Sequence, residues 1–418
     1  MFCCVLFFFQ AEYGIRYAQE SRGLGDVYKR QVHHGTGWGG APISMINLIK
    51  SLDENKYSVH VLLLKDSIVS KKLADNNISY SIAQSRFYKK YYKYIVHSEV
   101  GYIKSYQIFR LLYRLILWLL SRQFFAAKEL AQFTPDVIHL NSSVLTDWLK
   151  PSSKKGKVLI HIREPFRKGM IDPMHYFLRW QIKKYADSIV AISCDNAQRV
   201  GLMNKTKVIY NTVDYHELEI SLSSYNSGNF LYLGGAAKVK GFYTMVKALD
   251  FLDENVAVYF GGSYNVPRKQ MSVLKKIAMF ILLYGRKRKK AIEKMNSHPK
   301  ARVIGMTYKV NEYLQNICCL VSPFSTPHFA RPVIESYLYK KPAIGTDVKG
   351  MEEIIEHKKT GLIVKKENAK ELAEAINWMA SHPNEAKKMG EYAYHIAKTK
   401  FTQNNIQKFE AIYQSLNS

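Results

Sequence analysis

The chain has 418 residues, 47% of them apolar and 23% charged, with a formal net charge of +27. The length is too great for one ordinary core and suits two domains, and the composition excludes wholesale disorder. The positive balance points to a polyanionic partner: nucleic acid, an anionic membrane surface or a phosphorylated substrate.

In chain order, residues 1–31 show no clean period of 2 or 3.6. "FFFQAEYGIRYAQESRGLGDVYKRQ" resembles the peptide obtained when a sequencing adapter is translated, so 1–31 is read as an artefactual leader outside the fold. "VHHGTGWGGAPISMINLIKSL" is then a glycine-rich loop opening a helix, with Met45, Leu48, Ile49 and Leu52 as its apolar stripe. Such a loop follows a buried strand, yet only Val32 of that strand remains, and the first strand reads as overwritten. Strands are expected at 57–64, 136–141, 158–162, 188–193 and 207–211. A second series is expected at 229–235, 256–262, 301–305, 318–323 and 342–347. Several are apolar throughout, as parallel strands covered on both faces are. The expected fold class is therefore α/β, with two Rossmann-like doubly wound sheets. The domains divide as 32–211, a linker at 212–228, and 229–400. Asn368 and Glu371 form a capping-box-like helix start. A last helix, 401–418, opening at Thr402, is expected to pack back toward the first domain.

In such sheets ligands sit beyond the carboxyl ends of the strands. After "NFLYLGG", Gly234 and Gly235 permit close backbone approach, and Lys240 precedes a helix whose N–H groups favour a phosphate. A plain tight turn with solvated lysines accounts for the loop equally well. After "CCLVSP", Pro332 fits a helix start and Glu335 the first turn. Glu335 either compensates the helix dipole or accepts hydrogen bonds from a ribose, and Arg331 is a surface charge or a diphosphate clamp. "VLIHIREPF" ends a strand in His161, Arg163 and Glu164. No DxD pair or histidine cluster points to a metal, and no P-loop is present. Five cysteines without CxxC spacing suit a reducing cytoplasm.

Two basic stretches account for much of the charge. Residues 86–128 hold nine Lys or Arg against Glu99, and residues 268–300 hold eleven against Glu293. Aromatic and aliphatic residues lie among them at helical spacing, which suits a helix in an anionic membrane interface. A solvated helix face and nucleic-acid binding are the alternatives, and no nucleic-acid motif accompanies the charge.

Taken together, "HHGTGWGGAPIS", "PDVIHLNSS", "VLIHIREP", "YLGGAAKVKG" and "HFARPVIESYLYKKPAIGTDVKGMEEIIEHKKTGLIV" resemble glycosyltransferase family 4, over residues 32 to about 415. The resemblance implies a GT-B fold and a retaining, hexosyl-type transfer without a metal or other cofactor. The donor is a nucleotide-diphosphate sugar, and the acceptor a glycan or lipid-linked intermediate. It implies a bacterial enzyme of cell-surface polysaccharide or glycolipid synthesis, and the cysteine usage and basic stretches place it in the cytoplasm, peripheral on the inner face of the membrane. Gly39 and Gly40 match the loop facing the donor phosphate, His161 the histidine near the transferred sugar, Lys240 the phosphate lysine, and Glu335 the ribose ligand. Three positions depart from the pattern. The first glutamate of the family's pair is Pro327, the glycine after it is His328, and the arginine of the phosphate loop is Gly235. A rebuilt donor site is expected, with Arg331 standing in for the lost arginine and His328, Phe329 and Ala330 against the sugar. A nucleotide-sugar epimerase and a binding protein that has lost turnover are the competing functions.

Overall fold

The computed structural model describes residues 27–37, 39–99, 101–102, 107–169, 171–211, 213, 222–264, 284–307, 309–401 and 404–417. The first sheet holds seven parallel strands in the order β3-β2-β1-β4-β5-β6-β7. They are β1 (Val27–His33), β2 (Tyr57–Leu63), β3 (Tyr80–Ile82), β4 (Val137–Leu140), β5 (Lys157–Ile162), β6 (Ser188–Ala191) and β7 (Thr206–Val208). The second sheet holds six, in the order β10-β9-β8-β11-β12-β13. They are β8 (Asn229–Tyr232), β9 (Ala257–Gly261), β10 (Ala301–Gly305), β11 (Cys319–Ser322), β12 (Ala343–Thr346) and β13 (Gly361–Val364). The strand order reverses between β1 and β4 and between β8 and β11, the two places where a doubly wound sheet opens a ligand crevice.

The helices that matter for the site are α1 (Gly40–Lys50), α2 (Ile108–Leu120), α3 (Phe242–Ala248), α4 (Arg331–Leu338), α5 (Ala369–Ser381) and α6 (Pro383–Lys400), followed by α7 (Asn404–Asn417). Asn368 caps α5 by accepting from the Glu371 N–H at 3.2 Å. Helix α7 lies on the first sheet rather than the second. Its Phe409, Ile412 and Tyr413 are buried with Leu48, Tyr57, Val137, Leu159 and Val190. Burying each of those side chains stabilises by about 1.5–3 kcal/mol, an upper figure. Thr402 and most of the 212–228 linker lie outside the described residues, as do residues 1–26.

The structure corrects the boundary of the leader. Residues 27–31, set outside the fold as part of the adapter-like leader, form most of the central strand. β1 pairs with β2 through Val27 to His33 and with β4 through Lys29 to Val32. The main chain can pair there whatever the side chains are, but the side chains are ill matched to the position. Lys29, Arg30 and Gln31 are fully buried. Lys29 Nζ lies over the Tyr57 and Tyr413 rings and has no hydrogen-bond partner. Arg30 spends one N–H on Ser81 Oγ at 3.0 Å, and its Nε and Nη1 are unpartnered. Strands β3 and β13, of three and four residues, were not expected.

Candidate functional site

A cavity of about 470 Å³ lies between the two sheets, at the carboxyl ends of their strands. The second domain supplies one wall. Leu233 and Gly234 follow β8, Gly261 and Gly262 close β9, and Leu320, Val321 and Ser322 end β11. Lys240 projects from the loop before α3, and Met306, Thr307 and Val310 line the edge beyond β10. The first domain supplies Gly39, Gly40 and Ile43 from the α1 start, Arg163 and Glu164 beyond β5, Ile192 beyond β6 and Asn211 beyond β7.

Lys240 is placed by backbone. Gly241 has φ +77°, and a Cβ there would fall 1.7 Å from the Pro323 carbonyl oxygen, so only glycine lets the two loops meet. Ser325 N–H then donates to the Val239 carbonyl at 3.0 Å, which fixes Lys240 beside the chain leaving β11. Burial lowers the Lys240 amine from its ordinary value. His328 stacks on Phe324 with ring centroids 4.2 Å apart, and its Nδ1 is buried without a partner. Burial first, then the Lys240 charge, push its imidazole down to about 4, so the ring is neutral near pH 7.

Helix α4 begins at Arg331, with Pro332 at its second position. Glu335 therefore lies in the second turn rather than the first. That places it four residues on from Arg331, and the two form an ion pair, Nε to Oε1 2.8 Å. Arg331 also bridges the cleft: its Nη1 donates to Ser44 Oγ of α1 at 3.5 Å, and its Cδ lies 3.9 Å from where a Gly40 Cβ would be.

Of the sequence-predicted residues, the cavity gathers Gly39, Gly40, Gly234, Lys240, His328, Phe329, Arg331 and Glu335. Gly235, Ala330 and His161 do not line it. Gly235 is a turn position, φ +54°, pressed against Ser263. Ala330 is the buried N-cap of α4. His161 corrects the sequence reading most. Side chains alternate along a strand, and His161 shares a face with Leu159, under α7. It packs against His139 and Phe409, with ring centroids 5.4 and 5.5 Å away. Both its nitrogens are buried and unpartnered, and burial holds it far below the usual histidine range.

Two residues beyond, Arg163 reaches the cavity that His161 does not. Asn141 and Asn211 hold its guanidinium through their Oδ1 atoms at 2.8 and 2.9 Å. Burial lowers it to about 10, Glu164 and Tyr413 opposing and Arg331 assisting, so it stays charged near neutral pH. Glu164 is held in turn by the Ser142 and Ser143 hydroxyls at 2.7 and 2.9 Å. The cavity thus presents three cations, Lys240, Arg331 and Arg163, against two carboxylates already engaged within the protein. Together with the N–H groups opening α4, that charge suits a diphosphate. Among the described residues no cluster of His, Cys, Asp or Glu could hold a metal ion.

Family models match this architecture domain by domain. Residues 38–217 match Glycosyltransferase Family 4 and residues 219–396 match Glycosyl transferases group 1. Between them these take in well over half of the chain, which belongs to the family 4 glycosyltransferases of GT-B fold. An uncharacterized glycosyltransferase of Methanocaldococcus jannaschii is 24% identical over 245 residues, 58% of this chain and 63% of that protein, so less than two thirds of the relative is spanned. Among solved structures, Anabaena HepE in complex with UDP-glucose has a TM-score of 0.70 at 16% identity, over 93% of this chain and 99% of that one. Sucrose-phosphate synthase of Thermosynechococcus elongatus has a TM-score of 0.66 at 15% identity, over 93% and 99%. A glycosyltransferase of Rickettsia africae has a TM-score of 0.64 at 18% identity, over 94% and 98%.

Proposed function

We propose that this family 4 glycosyltransferase moves a hexosyl group, with retention, from a nucleotide-diphosphate sugar to a glycan or lipid-linked acceptor in cell-surface polysaccharide or glycolipid synthesis. The observation that carries the reading is the meeting of Lys240, Arg331, Arg163 and the α4 N-terminus around one interdomain cavity. When the glycosidic bond breaks, negative charge grows on the leaving diphosphate. Fixed cations and N–H groups stabilise that charge without reorganising. Glu335 would turn from Arg331 to the ribose, freeing the guanidinium for the phosphates and so filling the place of the loop arginine lost at Gly235. His328, neutral and unpartnered at Nδ1, would face the sugar with Phe329. The base would rest against Met306, Thr307 and Val310. Uridine is the first base to try, because HepE is bound to UDP-glucose. With the departing phosphate assisting the acceptor hydroxyl on the same face, no covalent nucleophile is required, and domain closure would exclude water. Incubation with a panel of nucleotide sugars, following both binding and release of the nucleoside diphosphate, tests this reading.

The acceptor would be met at an anionic membrane surface on the cytoplasmic side. Helix α2 buries Leu117 and Trp118 inward but exposes Phe109, Leu112, Tyr113, Ile116 and Leu119 outward, Phe109 by 84%. A continuous apolar stripe on a helix surface marks a docking face, and the exposed Arg110 on the same helix matches anionic headgroups. The second basic stretch offers less. Its apolar part, 265–283, lies outside the described residues, and Tyr284–Ser297 is a strongly basic helix. Among the described residues no helix is long and apolar enough to cross a membrane. At low salt the chain is expected to sediment with vesicles of phosphatidylcholine and phosphatidylglycerol and to stay in the supernatant with phosphatidylcholine alone. Phe109→Ser with Ile116→Ser should cut sedimentation at least tenfold. Equal recovery with both vesicle types, or no effect of the substitutions, would exclude the surface.

A further inference from the structure

A second cavity, of about 290 Å³, sits in the first domain on the other side of the glycine-rich loop. Its walls come from the carboxyl end of β2, the loop after β1, the segment 92–96 and helix α2. Three of its lining residues, Lys65, Lys93 and Arg114, are cations, and no carboxylate is among the described residues that line it. Arg114 is anchored by one N–H to the Tyr94 carbonyl at 3.2 Å. The Tyr94 ring packs edge-on against His34 at 4.9 Å, and His34 Nδ1 is buried without a partner.

The placement connects this cavity to both features already described. Arg114 belongs to α2, whose other face carries the exposed apolar stripe. His34 and Thr36 line the second cavity, while Gly39 and Gly40, on the same loop, line the donor cavity. The six residues from His34 to Gly39, joined by five steps, span at most about 17 Å, the reach of a diphosphate carrying a short glycan.

We propose that this second cavity binds a phosphoryl group of the acceptor, held by Lys65, Lys93 and Arg114, so that the acceptor glycan extends past the glycine loop to the donor. The proposal rests on the glycosyltransferase reading. Planar guanidinium and ammonium donors around one small cavity suit a phosphate. The shared ligand chemistry is a phosphate ester, and its source is either a lipid phosphate or a soluble sugar phosphate.

The test is a calorimetric titration of hexyl phosphate, and separately of glucose 1-phosphate, into protein saturated with UDP. At least one ligand should bind, and Lys93→Ala and Arg114→Gln should each weaken it about tenfold. UDP should bind both variants as it binds the unsubstituted chain. Stronger binding of hexyl phosphate supports the cavity with a lipid source; stronger binding of glucose 1-phosphate supports it with a soluble one. Failure of both ligands to bind, or binding unchanged in Lys93→Ala, overturns the proposal. Lys93 is exposed, so its replacement leaves folding intact even if Arg114→Gln does not. Should UDP itself fail to bind, the donor reading falls, and the same titrations without UDP decide the second cavity on their own.

Discussion

Lys240→Ala should lower turnover with the true donor by about 10²–10³ while leaving the unfolding midpoint unchanged. The magnitude follows from where the charge is needed. The ground-state diphosphate is already anionic, so part of the lysine's attraction is uniform and appears in KM. The added charge on the leaving oxygen belongs to the transition state, and its loss appears in kcat. The fold should tolerate the change, because Lys240 lines the cavity rather than the core and its place is fixed by the backbone of Gly241 and Ser325. Arg331→Ala should also weaken donor affinity and turnover, by about tenfold or more, since one salt-bridged guanidinium is removed and Lys240 remains. If Arg331→Ala left both unchanged, Arg331 would not be the replacement for the missing loop arginine. Steady-state kinetics on the two variants, with thermal unfolding as the control, make the measurement.

Lys29→Met should make the protein more stable by about 2–4 kcal/mol at pH 7.5, with the gain shrinking toward pH 10.5. Lys29 is wholly buried in the central strand. Burial pushes its amine down to about 6 from 10.5, only partly opposed by Glu410. The sign follows from proton counts. Between about pH 6 and 10.5 the unfolded chain holds a proton that the folded chain does not, so stability rises with pH across that window. Below pH 6 the cost is full, and above 10.5 it is gone. Methionine keeps the unbranched volume between the Tyr57 and Tyr413 rings and removes the titrating group. Denaturant midpoints of both proteins at pH 7.5 and pH 10 decide it. A variant no more stable than the parent at pH 7.5 would mean that the lysine is not buried as an unpaired amine.

The parallel sheets were readable because their strands are apolar on both faces, and all ten expected segments overlap observed strands. β1 was not, since "YKRQ" is what a buried parallel strand ordinarily excludes. Its place is set by pairing with β2 and β4, which are non-local partners. The donor wall was readable for a different reason: glycine loops and the α4 start leave marks of backbone geometry at Gly234, Gly241 and Pro332. The opposite wall was harder. The sequence placed His161, Arg163 and Glu164 together at a strand end, but where the strand stops decides which of them reaches the cleft. His161 is inside β5 and shares the Leu159 face under α7, whereas β5 ends at Ile162 and Arg163, past that end, is braced by Asn141 and Asn211 toward the cleft. Those asparagines come from two other strand ends, a convergence that linear spacing does not show. Nor does the sequence show the second cavity, which joins Lys65, Lys93 and Arg114 from three separate elements.

The claim that the interdomain cavity is a working donor site meets its most direct test in one measurement. The purified chain is incubated with a panel of nucleotide sugars, and binding and release of the nucleoside diphosphate are followed together, with and without membrane extract as acceptor. The account predicts that at least one sugar nucleotide binds, that its nucleoside diphosphate is released, that acceptor accelerates the release, and that Lys240→Ala abolishes the acceleration. Binding without release in any condition would contradict it and make Pro327, where the family's glutamate is absent, the mark of a site that has lost its chemistry.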